Sequence, residues 1–405
     1  MTYDFTSIMD RRGHDAEAVD AIGMGPGTPP SPPAAPDPGF DPIPMWVADM
    51  NFPTAPSITR ALHERVNHPA FGYFMPREEY FRAIIDWHAT RNGVQGMEPR
   101  HIGYENGVLG GVVSALHACA APGDFVLVHS PTYIGFTNAL GNAGFRIVHS
   151  PLRPDAEGVW RMDFEDMDDK LGKHHIHAAV FCSPHNPCGR VWERGEVERA
   201  MEVYRAHDCT VVSDEIWSDI LRPGIRHVPT QSVSEDARRR TVALYAPSKT
   251  FNLAGLVGSY HVIYNDLLRD RVVAESRKSH YNDMNVLSMH ALIGAYTPEG
   301  AQWVDELCQV IAANVDFACA WLAEHAPEIR VAKPQGTYML FLDCTDWCAA
   351  RGRDLDWLLR EGWRVGVGWQ DGRPFHGACH IRMNLALPLS RVQEAFGRLG
   401  EYVLA

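Results

Sequence analysis

Only five lysines occur among the 405 residues: Lys170, Lys173, Lys249, Lys278 and Lys333. Lys249 follows the apolar run Thr241-Val-Ala-Leu-Tyr245 within Ala246-Pro-Ser-Lys249, so its amine stands at the end of a strand expected to be buried on both faces. There it is either a structural lysine that snorkels outward or an amine whose charged form is disfavoured, and the second is a nucleophile toward an aldehyde. Asp214 closes another apolar run, Thr210-Val-Val212, as the first of the pair Asp214-Glu215. A carboxylate in that place caps a helix or partners a buried basic group. Asn186 lies in the turn Pro184-His-Asn-Pro187 and Tyr133 ends Ser130-Pro-Thr-Tyr133.

Together these four side chains ask for a ligand with an aldehyde, a basic ring nitrogen, a phenolic oxygen and an aromatic face. Pyridoxal 5'-phosphate has all of these and adds a phosphate. For the phosphate the sequence offers Gly107-Val-Leu-Gly-Gly111 leading into an apolar helix through Leu116, where free backbone N–H groups and the helix dipole favour a dianion.

The elements that must position these residues alternate. Short Val- and Phe-rich runs (Phe125-Val-Leu-Val-His129, Ala178-Ala-Val-Phe181, Thr210-Val-Val212, Thr241 to Tyr245 and Ser259-Tyr-His-Val-Ile263) are separated by helical stretches such as Glu196 to His207, where Val197, Met201 and Tyr204 recur at i, i+4 and i+7. Strands alternating with helices predict an α/β fold with a mostly parallel central sheet, whose ligands sit beyond the carboxyl ends of the strands. Ser130 to Tyr133, Ser183 to Gly189, Ser213 to Glu215 and Ala246 to Lys249 are those ends, and each is polar. From about residue 300 a long helix (Trp303 to Glu324), a strand over Gly336 to Leu342 and a final helix with Val392, Phe396 and Leu399 predict a smaller α+β lobe. Nine prolines between residues 24 and 44 predict an extended arm lying on the surface or on a neighbouring subunit. The expected divisions are an N-terminal arm over 1–50 joining the small domain, a large cofactor-binding domain over 51–290 and a small domain over 291–405.

Asn186-Pro-x-Gly189, the strand end at Asp214, Ser248-Lys249 and Arg382 in Ile-Arg-Met-Asn384 follow the order and spacing of fold-type I pyridoxal-phosphate enzymes, the aspartate aminotransferase superfamily. Within it the chain resembles the MalY-type cystathionine beta-lyases. The matching words are Tyr3-Asp-Phe with Asp10-Arg-Arg-Gly13, Pro44-Met-Trp-Val-Ala-Asp-Met50, Phe71-Gly-Tyr73, Gly189-Arg-Val-Trp192, Ser213-Asp-Glu-Ile216, Pro247-Ser-Lys-Thr-Phe-Asn252, Gly336-Thr-Tyr338 and Arg382-Met-Asn384. They span nearly the whole chain.

The resemblance implies roles. Lys249 would condense with the cofactor aldehyde and later carry the alpha proton, and Asp214 would pair with the ring nitrogen. Asn186 would bond the ring oxygen, and Tyr133 would stack on the ring. Gly107, Val108, Leu109 and Ser248 would hold the phosphate, with Tyr73 reaching it from the partner of a homodimer. Arg382 would clamp the substrate carboxylate, and Trp46 and Val47 would border the substrate. The implied reaction is carbon–sulfur beta-lysis of an S-substituted L-cysteine to a thiol, pyruvate and ammonia. Its rivals are an aminotransferase, or a lincosamide-type secondary-metabolism enzyme that diverts a cysteine conjugate to decarboxylation with oxidative deamination. The sequence departs from the family at Trp217, where a His or Tyr is usual, and at Asn51, where an Asp is usual. Val257 stands where many aminotransferases carry a phosphate-binding Arg that the MalY type lacks.

Composition excludes other classes. Charged residues at 21% and apolar residues at 45% are ordinary for a globular chain, and 37 basic against 50 acidic residues argue against nucleic acid as a partner. Nine scattered cysteines with no CxxC pair predict reduced thiols and no structural metal. The opening residues lack a signal-peptide pattern and no apolar run of about 18 stands out, so the expectation is a cytoplasmic protein away from membranes.

Overall fold

The computed structural model describes residues 1–25, 31–278 and 282–405. Its main sheet has seven strands: β1 (Ile102–Asn106), β2 (Phe125–Ser130), β3 (Arg146–Pro151), β4 (Ala178–Cys182), β5 (Thr210–Asp214), β6 (Thr241–Tyr245) and β7 (Gly258–Val262), in the order β1-β7-β6-β5-β4-β2-β3. Neighbours from β6 to β3 run parallel, whereas β7 runs antiparallel to both β1 and β6. All five residues of β4 and of β6 are buried, because helices cover both faces of the sheet. The flanking strands β1 and β3 carry mixed residues, which is why no apolar run announces them.

Five helices bear on the site: α1 (Gly107–Cys119), α2 (Arg194–Ala206), α3 (Pro247–Thr250), α4 (Val286–Ala295) and α5 (Pro298–His325). Helix α2 begins two residues before the periodicity suggests, since Glu193 and Glu196 form a reciprocal capping box. Helix α5 begins at Pro298 because the Thr297 hydroxyl accepts from the Gly300 N–H. By length and composition α5 would suffice to cross a membrane, contrary to the expectation that no apolar run of that length occurs. Half of its most apolar window is buried within the fold, with Trp303, Leu307, Ile311, Val315 and Leu322 in the core.

The second sheet is antiparallel, with β8 (Arg330–Val331), β9 (Met339–Asp343), β10 (Gln370–Asp371) and β11 (His380–Asn384) in the order β8-β9-β11-β10. The strand expected over 336–342 starts only at Met339. Thr337 adopts φ +65° and Gly336 bridges to Leu221, so the preceding residues are held against the segment that follows β5. Pro26, Pro29 and Pro30 of the proline-rich segment lie outside the described residues. The described part of that segment rests on its own chain: the Asp37 N–H donates to the Arg364 carbonyl, Ile43–Pro44 pair in parallel with Val367–Gly368, and Phe40 packs edge-on against Tyr402.

We propose that the large and small domains meet at Tyr296–Thr297. A cut between 290 and 291 would fall inside α4, which packs on the helix Pro56–Val66 so closely that a Cβ on Gly294 would lie 2.8 Å from the Ser57 carbonyl oxygen.

Candidate active site

The carboxyl ends of β2, β4, β5 and β6 open on a cavity of about 250 Å³. Lys249 enters it from α3, the single helical turn that follows β6. Its Nζ donates to the Ala48 carbonyl at 2.8 Å and lies 5.8 Å from the centre of the Trp217 ring. Burial pulls the amine down to about 8; the Arg382 charge acts in the same direction, while Asp49 and Asp214 oppose it. Asp214, the last residue of β5, accepts from the Ile216 N–H at 3.0 Å. Burial raises its carboxyl to about 7 against the pull of that hydrogen bond and of Lys249. Burial thus disfavours the charged form of each group, and the charges around them offset this only in part.

Glu215 points away from Asp214, as consecutive residues at a strand end do. Its carboxylate accepts from His227 Nε2 at 2.6 Å, the Tyr245 hydroxyl at 2.7 Å, the Ser213 hydroxyl at 2.9 Å and the Thr230 N–H at 3.0 Å. This second carboxylate is fully engaged, so the acidic pair divides into a member with a single hydrogen bond at the cavity and an anchor behind it.

Across the cavity, Gly107 begins α1 with φ +71°, and Asn106 gives no side-chain cap. The first N–H groups of the helix, including those of Val108 and Leu109, are therefore left as donors at the cavity wall, which Ser248 also lines. Tyr133 follows β2 and lines the cavity over Gly135, where a Cβ would sit 2.3 Å from the tyrosine ring.

Asn186 is carried on the turn after β4 and is 3% exposed. Its Oδ1 accepts from Arg382 Nη1 at 3.3 Å, while Arg382 Nη2 donates to the Trp46 carbonyl at 2.9 Å. Arg382 itself comes from β11, lies over the Phe375 ring at 4.3 Å and has no carboxylate within ion-pair distance among the described residues. Its Nε has no partner, and burial lowers the guanidinium to about 10.

The remaining expected residues stand elsewhere. The Trp46 indole turns away and donates to the Ala18 carbonyl at 2.9 Å, so Trp46 meets the site only through its backbone. The Val47 carbonyl accepts from Asn384 Nδ2 at 2.7 Å. Ala48 lines the cavity instead of either, through a carbonyl that no side-chain pattern could reveal. Tyr73 is fully exposed, on an extended segment outside this cavity. Cys182, Ile216, Trp217, Ala254 and Val257 complete the lining.

The donor set suits pyridoxal 5'-phosphate: an uncapped helix start with a serine for the phosphate, an aromatic face, a buried carboxylate and a desolvated amine. With a mostly parallel sheet beside a smaller α+β lobe, this is a fold-type I pyridoxal-phosphate enzyme. Residues 43–399 match the profile of aminotransferase class I and II, and the chain belongs to that family. It is 34% identical to cystathionine beta-lyase PatB of Bacillus subtilis (strain 168), over 89% of this chain and 92% of that protein. It is 28% identical to protein MalY of Escherichia coli (strain K12), over 98% of each chain. The solved pyridoxal-phosphate-bound C-S lyase of Staphylococcus hominis superposes with a TM-score of 0.87 at 26% identity, covering 99% of this chain and 98% of that one.

Proposed function

We propose that the protein cleaves the carbon–sulfur bond of an S-substituted L-cysteine by beta-elimination, releasing a thiol, pyruvate and ammonia. The observation that carries the reading is a desolvated lysine amine beside a buried guanidinium without a counter-ion. The first suits an aldehyde, the second a carboxylate, and an amino acid bound to the cofactor brings both together. The likeness to a cystathionine beta-lyase favours a sulfur leaving group.

Pyridoxal phosphate, when bound, supplies the electron sink that makes the alpha proton removable. Arg382 holds the alpha-carboxylate through guanidinium N–H groups not engaged by Asn186 or Trp46. Lys249 Nζ takes the alpha proton, a task for which an amine lowered to about 8 is better placed than an ordinary lysine. Asp214 would receive the ring N–H, Asn186 and Tyr133 would fix the ring, and Gly107, Val108, Leu109 and Ser248 would hold the phosphate.

The working form is a cytoplasmic homodimer that lends Tyr73 across the interface. Phe71, Tyr73 and Met75 are exposed on one extended segment, an apolar surface suited to a second copy of the chain.

A coupled pyruvate assay over a panel of cysteine conjugates tests the reading. Stoichiometric pyruvate and thiol from at least one conjugate are expected, and Lys249→Ala should lose both this turnover and the visible absorbance of the cofactor–lysine adduct. A dependence on an added keto acid, or release of carbon dioxide in place of pyruvate, would overturn the assignment.

A further inference from the structure

Trp217 is 2% exposed, lines the cavity and presents its ring to Lys249 Nζ at 5.8 Å. An ammonium within about 6 Å of an indole centroid is attracted by the negative face of the ring. The ring is held at a definite place. It packs edge-to-face on Tyr338 with centroids 4.7 Å apart at 77°, and the Tyr338 hydroxyl donates to the Ala48 carbonyl at 3.0 Å. That same carbonyl accepts from Lys249. The turn bearing Trp217 is tied to the Tyr338 segment by the Thr337 N–H donating to the Ile220 carbonyl. Amine, carbonyl, phenol and indole therefore form one closed set of contacts.

We propose that the indole face of Trp217, with the Ala48 carbonyl, is the berth of the Lys249 ammonium whenever that amine is not joined to the cofactor. The inference rests on the reading of Lys249 given above and deepens it: Trp217 is a positioning residue that sets how tightly the amine keeps its proton. The charged groups that bear on the amine are Asp214 from β5, Asp49 from the segment that carries Ala48, and Arg382 from β11. Two anions and one cation leave burial as the main force acting on the charge. A polarisable face therefore decides a margin that burial would otherwise settle against the ammonium.

Two variants separate the face from the volume. Trp217→Leu removes the ring, and Trp217→Phe keeps a weaker one. In the cofactor-free full-length chain, the pH dependence of Lys249 acylation by an amine-reactive reagent, read by peptide mass spectrometry, reports the proton affinity directly. Relative to the wild type, the midpoint should fall by about one pH unit for Leu and by less for Phe. In the holoenzyme the acidic limb of kcat should move to lower pH in the same order. Thermal melts confirm that each variant is folded; if the Leu variant does not fold, the Phe variant decides alone by the direction of its shift. Midpoints that superimpose on the wild type, or move upward, overturn the proposal. Failure of Lys249→Ala to abolish the adduct would instead strike the underlying functional reading, so the two can fail separately.

Discussion

Asp214 and Lys249 illustrate how burial tunes a single residue in opposite senses: the carboxyl rises to about 7 and the amine falls to about 8. The carboxyl has a consequence for stability. Between about pH 4, where it titrates in the unfolded chain, and pH 7, where it titrates in the fold, the folded state holds a proton that the unfolded state has released. Stability of the cofactor-free enzyme therefore drops as pH rises through that window. Asp214→Asn keeps the shape and removes the titration, so its advantage over the wild type in cofactor-free denaturant melts should grow to a few kcal/mol between pH 4 and pH 7, on the order set by the shift. A constant difference across the window would contradict this. At the same scale lies much of what the sequence made legible. Lys249, Asp214, Asn186 and Tyr133 are polar or aromatic groups at the ends of apolar runs, and the fold gathers all four around one cavity. What the sequence hid is equally specific. The Ala48 carbonyl belongs to every residue type alike, and the Trp46 indole could be followed to Ala18 only once the arm had a path.

The turn that carries Asn186 shows how an element holds a residue in place. Gly189 closes it at φ +66°, and a Cβ there would lie 2.4 Å from the Pro334 Cβ and 2.7 Å from the Gly336 carbonyl oxygen. Gly189 also accepts at its own carbonyl from the N–H groups of Gln335 and Gly336. The turn is thus pinned to the segment that leads into β9, and Asn186 and Arg382 meet because of it. Gly189→Ala should lower stability by about 3 kcal/mol through positive-φ strain and overpacking and weaken cofactor retention, measured by thermal melts and by cofactor loss on gel filtration. A variant with an unchanged melt would refute the argument. Element boundaries were harder to read than element types. The end of β7 and the start of β9 depend on the antiparallel partner strands and the Leu221–Gly336 bridge, contacts distant in sequence that leave no local pattern.

At the scale of the whole molecule, the exposed segment with Phe71, Tyr73 and Met75 is the surface that the proposed second copy would cover. If Tyr73 completes the cavity of a second copy, two defective chains can repair one another. Mixing Lys249→Ala with Tyr73→Ala, after mild dissociation and reassociation, should give hybrid dimers with one intact site and recover activity that neither parent has. Sedimentation should find the wild type as a dimer, and absence of recovery in proven hybrids would place Tyr73 outside the site.

The strap from Trp46 to Met50 joins parts of the chain far apart in sequence. Asn384 of the smaller sheet takes the carbonyls of Val47 and Asp49, Asn252 takes both backbone groups of Met50, and Lys249 hangs from the carbonyl between them. Should the two lobes swing against each other as ligands come and go, the strap must act as a tether whose tension is felt first at the reactive nitrogen. Because its attachment there is a main-chain carbonyl, which every residue type keeps, no exchange of side chain at position 48 removes the acceptor.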